Sequence, residues 1–208
     1  MTELDSKGVD SERIAQIYHD RGPIEISTDA TWFILREIGK LSGLNLAEYL
    51  NSKYLNSNDN PKVLDLCCGR GAVVFALKRN GLKEATIFGC DIFEYKFDPK
   101  ENPYQKTIIG DVTNPRTLEN IKKANPTGFD LITCFRPPPE IFDSIFKNLE
   151  QFTALLKPGG YIVCTNETSS DFLKKIPTKE TGRMTVLKTD LPVAPIIAIY
   201  QKPEEKSE

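Results

Sequence analysis

Val63-Leu64-Asp65-Leu66-Cys67-Cys68-Gly69-Arg70-Gly71 is the stretch that decides the fold. An apolar strand with one acidic residue near its end runs into a turn of small residues. A helical pattern, Ala72-Val73-Val74-Phe75-Ala76-Leu77-Lys78, follows at once. Gly69 and Gly71 have no Cβ and take positive φ at little cost, so a ligand can approach the backbone of this turn where a helix begins.

Outward from that turn the chain alternates. Strands are expected at Val63–Leu66, Ala85–Cys90, Gln105–Ile109, Phe129–Phe135, Gly160–Thr165, Met184–Lys188 and Pro195–Gln201, from their apolar runs and flanking turn residues. Helical patterns fall at Ala72–Asn80, Pro115–Ala124, Glu140–Leu156 and Ser169–Ile176. Such alternation indicates an α/β fold: a mostly parallel seven-stranded sheet with helices on both faces. The last two strands are joined by Thr189-Asp190-Leu191-Pro192 with no helix between them, so they should form a C-terminal antiparallel strand hairpin. Ahead of the sheet, residues 1–60 read as an N-terminal helical extension and lid. Its helices are expected over residues 10–20, over Ala30–Leu41 with Thr28 or Asp29 as cap, and over Leu46–Tyr54. Trp32, Phe33, Leu35 and Ile38 form the buried side of the second. Residues 61–203 make the sheet domain, and 204–208 a polar tail.

Composition narrows the function. With 208 residues and a net charge of −2, the chain has no global basic field to hold nucleic acid. No apolar run reaches the roughly 18 residues of a membrane span, and the acidic MTELDSKGVDSER is unlike a secretory leader. The expectation is a cytoplasmic protein with no membrane partner. Five cysteines and a single histidine, with no Cys-x-x-Cys pair, point to no metal site and no disulfide framework. The cysteines end apolar strands and read as small buried thiols. His19 reads as a cap or surface residue rather than a general base.

The opening stretch resembles the first motif of the class I, Rossmann-like S-adenosylmethionine-dependent methyltransferases, Asp/Glu-x-Gly-x-Gly-x-Gly. Asp65, Gly69 and Gly71 match, and Cys67 stands in place of the first glycine. The rival nicotinamide-dinucleotide fingerprint, Gly-x-Gly-x-x-Gly, fails, because counting from Gly69 puts Val74 at its third glycine. The resemblance extends over about residues 62–202. It implies that Asp91, ending the second strand, accepts the two ribose hydroxyls of the cofactor, with Ile92 against the adenine. It implies that Asp111 reaches the adenine amino group, with the Val112 backbone at the ring nitrogens. Phe135 is placed on the cofactor side of the fourth strand's end. Leu155-Leu156-Lys157-Pro158-Gly159-Gly160 resembles the family's helix-to-strand turn, in which proline stops the helix and the glycines turn the chain into the strand.

The resemblance thins where the acceptor would sit. Methyltransferases acting on amide or amine nitrogens often carry Asp/Asn-Pro-Pro-Tyr/Phe after the fourth strand. This chain has Arg136-Pro137-Pro138-Pro139. Arginine has only donors and takes no proton from a nitrogen nucleophile; it suits a carboxylate or phosphate instead. Arg136, Asn166 and Tyr18 are the candidate substrate-binding residues, with Arg21, Trp32 and Glu167 as further lid or rim candidates. No catalytic base is assigned, since an activated methyl needs only an aligned acceptor. The expected activity is methyl transfer from S-adenosyl-L-methionine to a small molecule. An RNA or protein acceptor, and a non-catalytic cofactor- or partner-binding role, stay open.

Overall fold

The computed structural model describes residues 24–55, 59–95, 102–166, 184–189 and 196–204; among helix and strand residues, the side chains of 24–27 and 166 lie outside that description. The sheet comprises β1 (Lys62–Leu66), β2 (Thr86–Asp91), β3 (Lys106–Ile109), β4 (Phe129–Cys134), β5 (Leu156–Asn166), β6 (Met184–Lys188) and β7 (Ile196–Gln201). Among the described residues these seven strands form one sheet in the order β3-β2-β1-β4-β5-β7-β6. Pairing is parallel from β3 through β5, while β7 runs antiparallel to both β5 and β6. The chain thus starts at the centre of the sheet, winds to the β3 edge, crosses back to β4 and closes in the expected hairpin.

Strand side chains alternate between faces, and both faces are covered. On one, Val63, Ile87, Leu131, Val163, Ile197 and Ile199 pack under α1 (Ile24–Ser42), α2 (Leu46–Lys53) and α3 (Ala72–Arg79). On the other, Leu64, Leu66, Phe88, Ile108, Ile132 and Ile162 meet α4 (Pro115–Ala124), α5 (Pro139–Lys147) and α6 (Leu149–Thr153). The described part of the N-terminal extension is therefore a layer of the domain. No helix among the described residues is long and apolar enough to cross a membrane.

Four local expectations change. Helix α1 begins before Thr28 and Asp29, so neither is its cap; Asp29 pairs instead with Arg79 of α3. Ile34, Leu35 and Ile38 face the core, but Phe33 is 50% exposed, because the helical step turns it away from them. It lies edge-on to Trp32, whose half-buried ring sits between the guanidinium groups of Arg36 and Arg79 at 4.9 and 4.5 Å. The single helix expected over Glu140–Leu156 is two, broken at Asn148, whose side-chain amide donates to the Ser144 carbonyl at 3.0 Å. Finally, Pro158, Gly159 and Gly160 do not end a helix. They lie within β5, where the register slips from Phe129↔Leu156 to Leu131↔Tyr161. A Cβ on Gly160 would meet three backbone oxygens at 3.0–3.1 Å, so glycine is what lets this irregular stretch close against β4. The helices expected at 10–20 and Ser169–Ile176 fall outside the described residues.

The opposite end of the strands from the glycine turn is locked by Asp130, whose side chain is fully buried. Its Oδ1 accepts from the Tyr54 hydroxyl at 2.8 Å and lies 3.2 Å from Lys53 Nζ. Its Oδ2 accepts from the Lys62 backbone N–H and from Lys157 Nζ, both at 2.8 Å. Burial works to raise this carboxyl's pKa, but the Lys157 ammonium, the Lys62 N–H and the Tyr54 hydroxyl hold it below the usual range.

Candidate cofactor site

The carboxyl ends of β1 through β5 converge on the turn 67–71, as ligand sites of open α/β sheets do. Three of its residues are left-handed: Cys67 at φ 53°, Gly69 at φ 49° and Gly71 at φ 88°. Cys67 thus occupies a conformation that suits glycine, at a cost of about 1–2 kcal/mol for a residue with a Cβ. The turn is held from below by Cys68 N–H donating to Cys90 O (3.1 Å) and Gly71 N–H donating to Cys68 O (3.0 Å). A Cβ on Gly69 would meet nothing within 4 Å, whereas one on Gly71 would come within 2.5 Å of Pro103.

Asp91, at the end of β2, is bound to this turn. Its Oδ2 accepts from Gly69 N–H at 2.8 Å and its Oδ1 from Phe93 N–H at 3.1 Å. Burial raises its pKa against the pull of those backbone N–H groups and that of Ile92. Asp65 lies deeper, beneath the turn, with only 1% of its surface exposed. Its Oδ1 accepts from the Thr133 hydroxyl at 2.9 Å and its Oδ2 from the Tyr104 hydroxyl at 2.8 Å. Burial pushes this carboxyl up to about 7 despite both donors, and the nearby Asp91 adds to the rise. In register, Asp65 faces Thr133 on β4 and Gly89 on β2. Glycine at 89 leaves the space through which Tyr104 arrives: a Cβ there would stand 2.8 Å from Cys68 Sγ and 3.1 Å from the Tyr104 ring.

The remaining candidates are spread around this centre. Ile92 is half-buried just past Asp91. Asp111 Oδ1 accepts from both the N–H and the hydroxyl of Thr113 at 2.8 Å, shaping the turn that leads to Asn114, the cap of α4. The Val112 side chain belongs to the core on the α4 face, and Phe135 packs in the opposite layer with Tyr104. Arg136 is also left-handed, at φ 55°, and half-buried; its N–H donates to the Thr165 hydroxyl at 2.8 Å, tying the ends of β4 and β5 together. Asn166 ends β5, paired with Ile196. Tyr18, His19, Arg21 and Glu167 lie outside the described residues. Cys90, Cys134 and Cys164 are buried in one layer and flank Leu66 in register, with Cys134 opposite Cys164; burial pushes the Cys90 and Cys134 thiols up.

Tyr104, Thr133 and Thr165 were not found from the sequence. Thr133 carried a signal: a hydroxyl inside the apolar run Asp130-Leu131-Ile132-Thr133-Cys134, directly opposite Asp65 in register. Tyr104 carried none, since Asn102-Pro103-Tyr104-Gln105 has no periodicity.

Residues 40–191 match the family model described as a methyltransferase domain. The chain is 25% identical over 146 residues to the mRNA cap guanine-N(7) methyltransferase of Caenorhabditis elegans, covering 62% of this chain but only 37% of that protein. Among solved structures, an O-methyltransferase from Bacillus cereus in complex with SAH superposes with a TM-score of 0.51 at 15% identity, covering 95% of this chain and 94% of that one. An O-methyltransferase family protein from Burkholderia thailandensis superposes with a TM-score of 0.50 at 12% identity, covering 93% and 64%. The matched domain spans most of the sheet and the turn at 67–71, and the sheet is mostly parallel with the expected C-terminal antiparallel hairpin: the chain belongs to the methyltransferase-domain family, with the class I, Rossmann-like fold of S-adenosylmethionine-dependent methyltransferases.

Proposed function

We propose that this chain binds S-adenosylmethionine at the turn 67–71 and directs its methyl group to an acceptor carrying a carboxylate or phosphate beside Arg136. The observation that carries the reading is the bond from Gly69 N–H to Asp91. Both Asp91 oxygens accept from backbone N–H groups and retain acceptor capacity, which fits a pair of adjacent ribose hydroxyls. The open space at Gly69 fits a ligand lying against the backbone. The carboxylates of Asp65 and Asp91 below the turn disfavour a pyrophosphate there and suit the ammonium end of a zwitterion. When bound, the cofactor supplies a methyl already activated on a sulfonium. The protein's part is then to hold the acceptor in line and exclude water, with no general base required. Arg136, fixed through its backbone to Thr165, offers a guanidinium for bidentate contact with an anionic group.

Calorimetric titration with S-adenosylmethionine tests the reading. The intact protein should bind, and Asp91→Ala should weaken binding roughly 10- to 100-fold, the loss expected for hydrogen bonds to a charged acceptor. Absence of binding by the intact protein, or an unchanged affinity in the variant, refutes it. The acceptor has two readings. Net charge favours a small molecule, whereas the match to a cap guanine methyltransferase favours RNA. Transfer of labelled methyl to the small-molecule or the RNA fraction of a cell extract separates them.

A further inference from the structure

Between β2 and β3 the described residues return to the sheet at Asn102-Pro103-Tyr104, and Tyr104 takes a buried place beneath the turn. Its hydroxyl oxygen is 2.8 Å from Asp65 Oδ2 and 3.1 Å from the Cys68 carbonyl oxygen. A phenol has one proton and cannot donate to both. With Asp65 ionised, the proton points to the carboxylate, and among the described residues the Cys68 carbonyl keeps the Gly71 N–H at 3.0 Å. With Asp65 neutral, the acid donates to the phenol oxygen and the phenol donates to the carbonyl. We propose that Tyr104 is a positioning residue for the cofactor turn: by sharing its proton between Asp65 and the Cys68 carbonyl, it couples the ionisation of Asp65 to the acceptor that the turn presents to a ligand's ammonium group. The inference rests on the reading of 67–71 as an S-adenosylmethionine site.

The groups that face Asp65 among the described residues are Tyr104 from the segment before β3, Thr133 from β4, Asp91 from β2 and Cys68 from the turn. Helix α3, on the same face, turns the apolar Val73, Val74, Ala76 and Leu77 inward. Burial pushes the Asp65 carboxyl up to about 7, so its neutral form gains on the acid side of neutrality and its ionised form on the alkaline side. Ionisation adds negative charge below the turn and relieves the Cys68 carbonyl of the phenol proton. Both changes favour an ammonium ligand. Losing the phenol removes one donor from the carboxylate and moves its midpoint further up.

The test follows the Asp65 carboxyl carbon by NMR in the ligand-free protein, and S-adenosylhomocysteine affinity by calorimetry, from pH 5.5 to 9. The intact protein, Tyr104→Phe and Asp65→Asn are compared. Affinity should rise with pH through the Asp65 midpoint in the intact protein and be flat in Asp65→Asn. In Tyr104→Phe, the carboxyl midpoint and the affinity curve should both move up by about one pH unit, a tenfold change in the ionisation constant. Affinity lowered uniformly with the midpoint in place would mean that Tyr104 only fills space, and overturns the proposal. A moved carboxyl midpoint without ligand binding at any pH would instead overturn the cofactor reading, and with it the link from Tyr104 to the cofactor.

Discussion

Replacing Asp130 with alanine takes an acceptor from four partners at once. The Lys62 N–H at the start of β1 and the Tyr54 hydroxyl lose the carboxylate, and the ammonium groups of Lys157 and Lys53 lose their counter-charge, keeping the Tyr54 hydroxyl oxygen at 2.6 Å and the Tyr49 hydroxyl oxygen at 3.3 Å. Breaking a buried ion pair by removing one partner costs about 3–5 kcal/mol. The lysine side chains are 20% and 29% exposed and regain some water, so the lower end, about 3 kcal/mol, is expected. Urea unfolding should show this as a fall in midpoint with an unchanged slope. The pH dependence has a definite sign. The folded carboxyl is held below its unfolded value near 3.9. Its contribution is therefore complete above that value and vanishes as pH falls through the folded pKa. The stability gap between intact protein and variant should therefore begin to narrow below about pH 4 and keep narrowing until the pH is below the folded pKa. Because Asp130 lies at the far end of the strands, S-adenosylmethionine affinity at neutral pH should be unaffected. A loss under about 1 kcal/mol would place the cluster with solvent-screened surface pairs and refute the argument.

Two further outcomes test the turn and its rim. Gly71→Ala drives a Cβ to 2.5 Å from Pro103 at φ 88°, while Gly69→Ala meets open space at φ 49°. Thermal unfolding should show about 1 kcal/mol lost at Gly69 and about 2 kcal/mol or more at Gly71, where overpacking adds to strain; equal losses would mean that Pro103 moves aside freely. Thr165→Val removes the acceptor of the Arg136 N–H. It should cost about 1–2 kcal/mol of stability and raise the KM for an anionic acceptor while sparing cofactor affinity; an unchanged KM would detach Arg136 from acceptor binding.

The sheet was legible because its signals are local. Runs such as Ile196-Ile197-Ala198-Ile199 can only be strands buried on both sides, and the short Thr189–Pro192 link leaves no room for a crossover. The misreadings arose where tertiary contact overrides pattern. An apolar periodicity continues from Ile141 to Leu156, so nothing local announces the break at Asn148. Pro158-Gly159-Gly160 looks like helix punctuation, yet it serves the irregular pairing with β4. Phe33 has the hydrophobicity of a core residue, but the angle of its helix turns it outward. Within the site, the acidic residues at strand ends could be found by spacing. Tyr104 could not, because its partners lie 36 and 39 positions back in the chain.

Cys67 and Arg136 share an unusual backbone conformation. They are the described non-glycine residues with positive φ, and each lies just past a central strand, Cys67 directly after β1 and Arg136 two residues after the end of β4. Left-handed backbone at a residue with a Cβ persists only where the surroundings fix it. At Cys67 the fixing comes from Cys68 N–H on Cys90 and Gly69 N–H on Asp91; at Arg136 it comes from Thr165. Each strained residue is thus held by a bond to the neighbouring strand's end, Cys90 and Asp91 on β2 or Thr165 on β5. The strain is then a consequence of turning the chain sharply where β1 and β4 leave the sheet side by side.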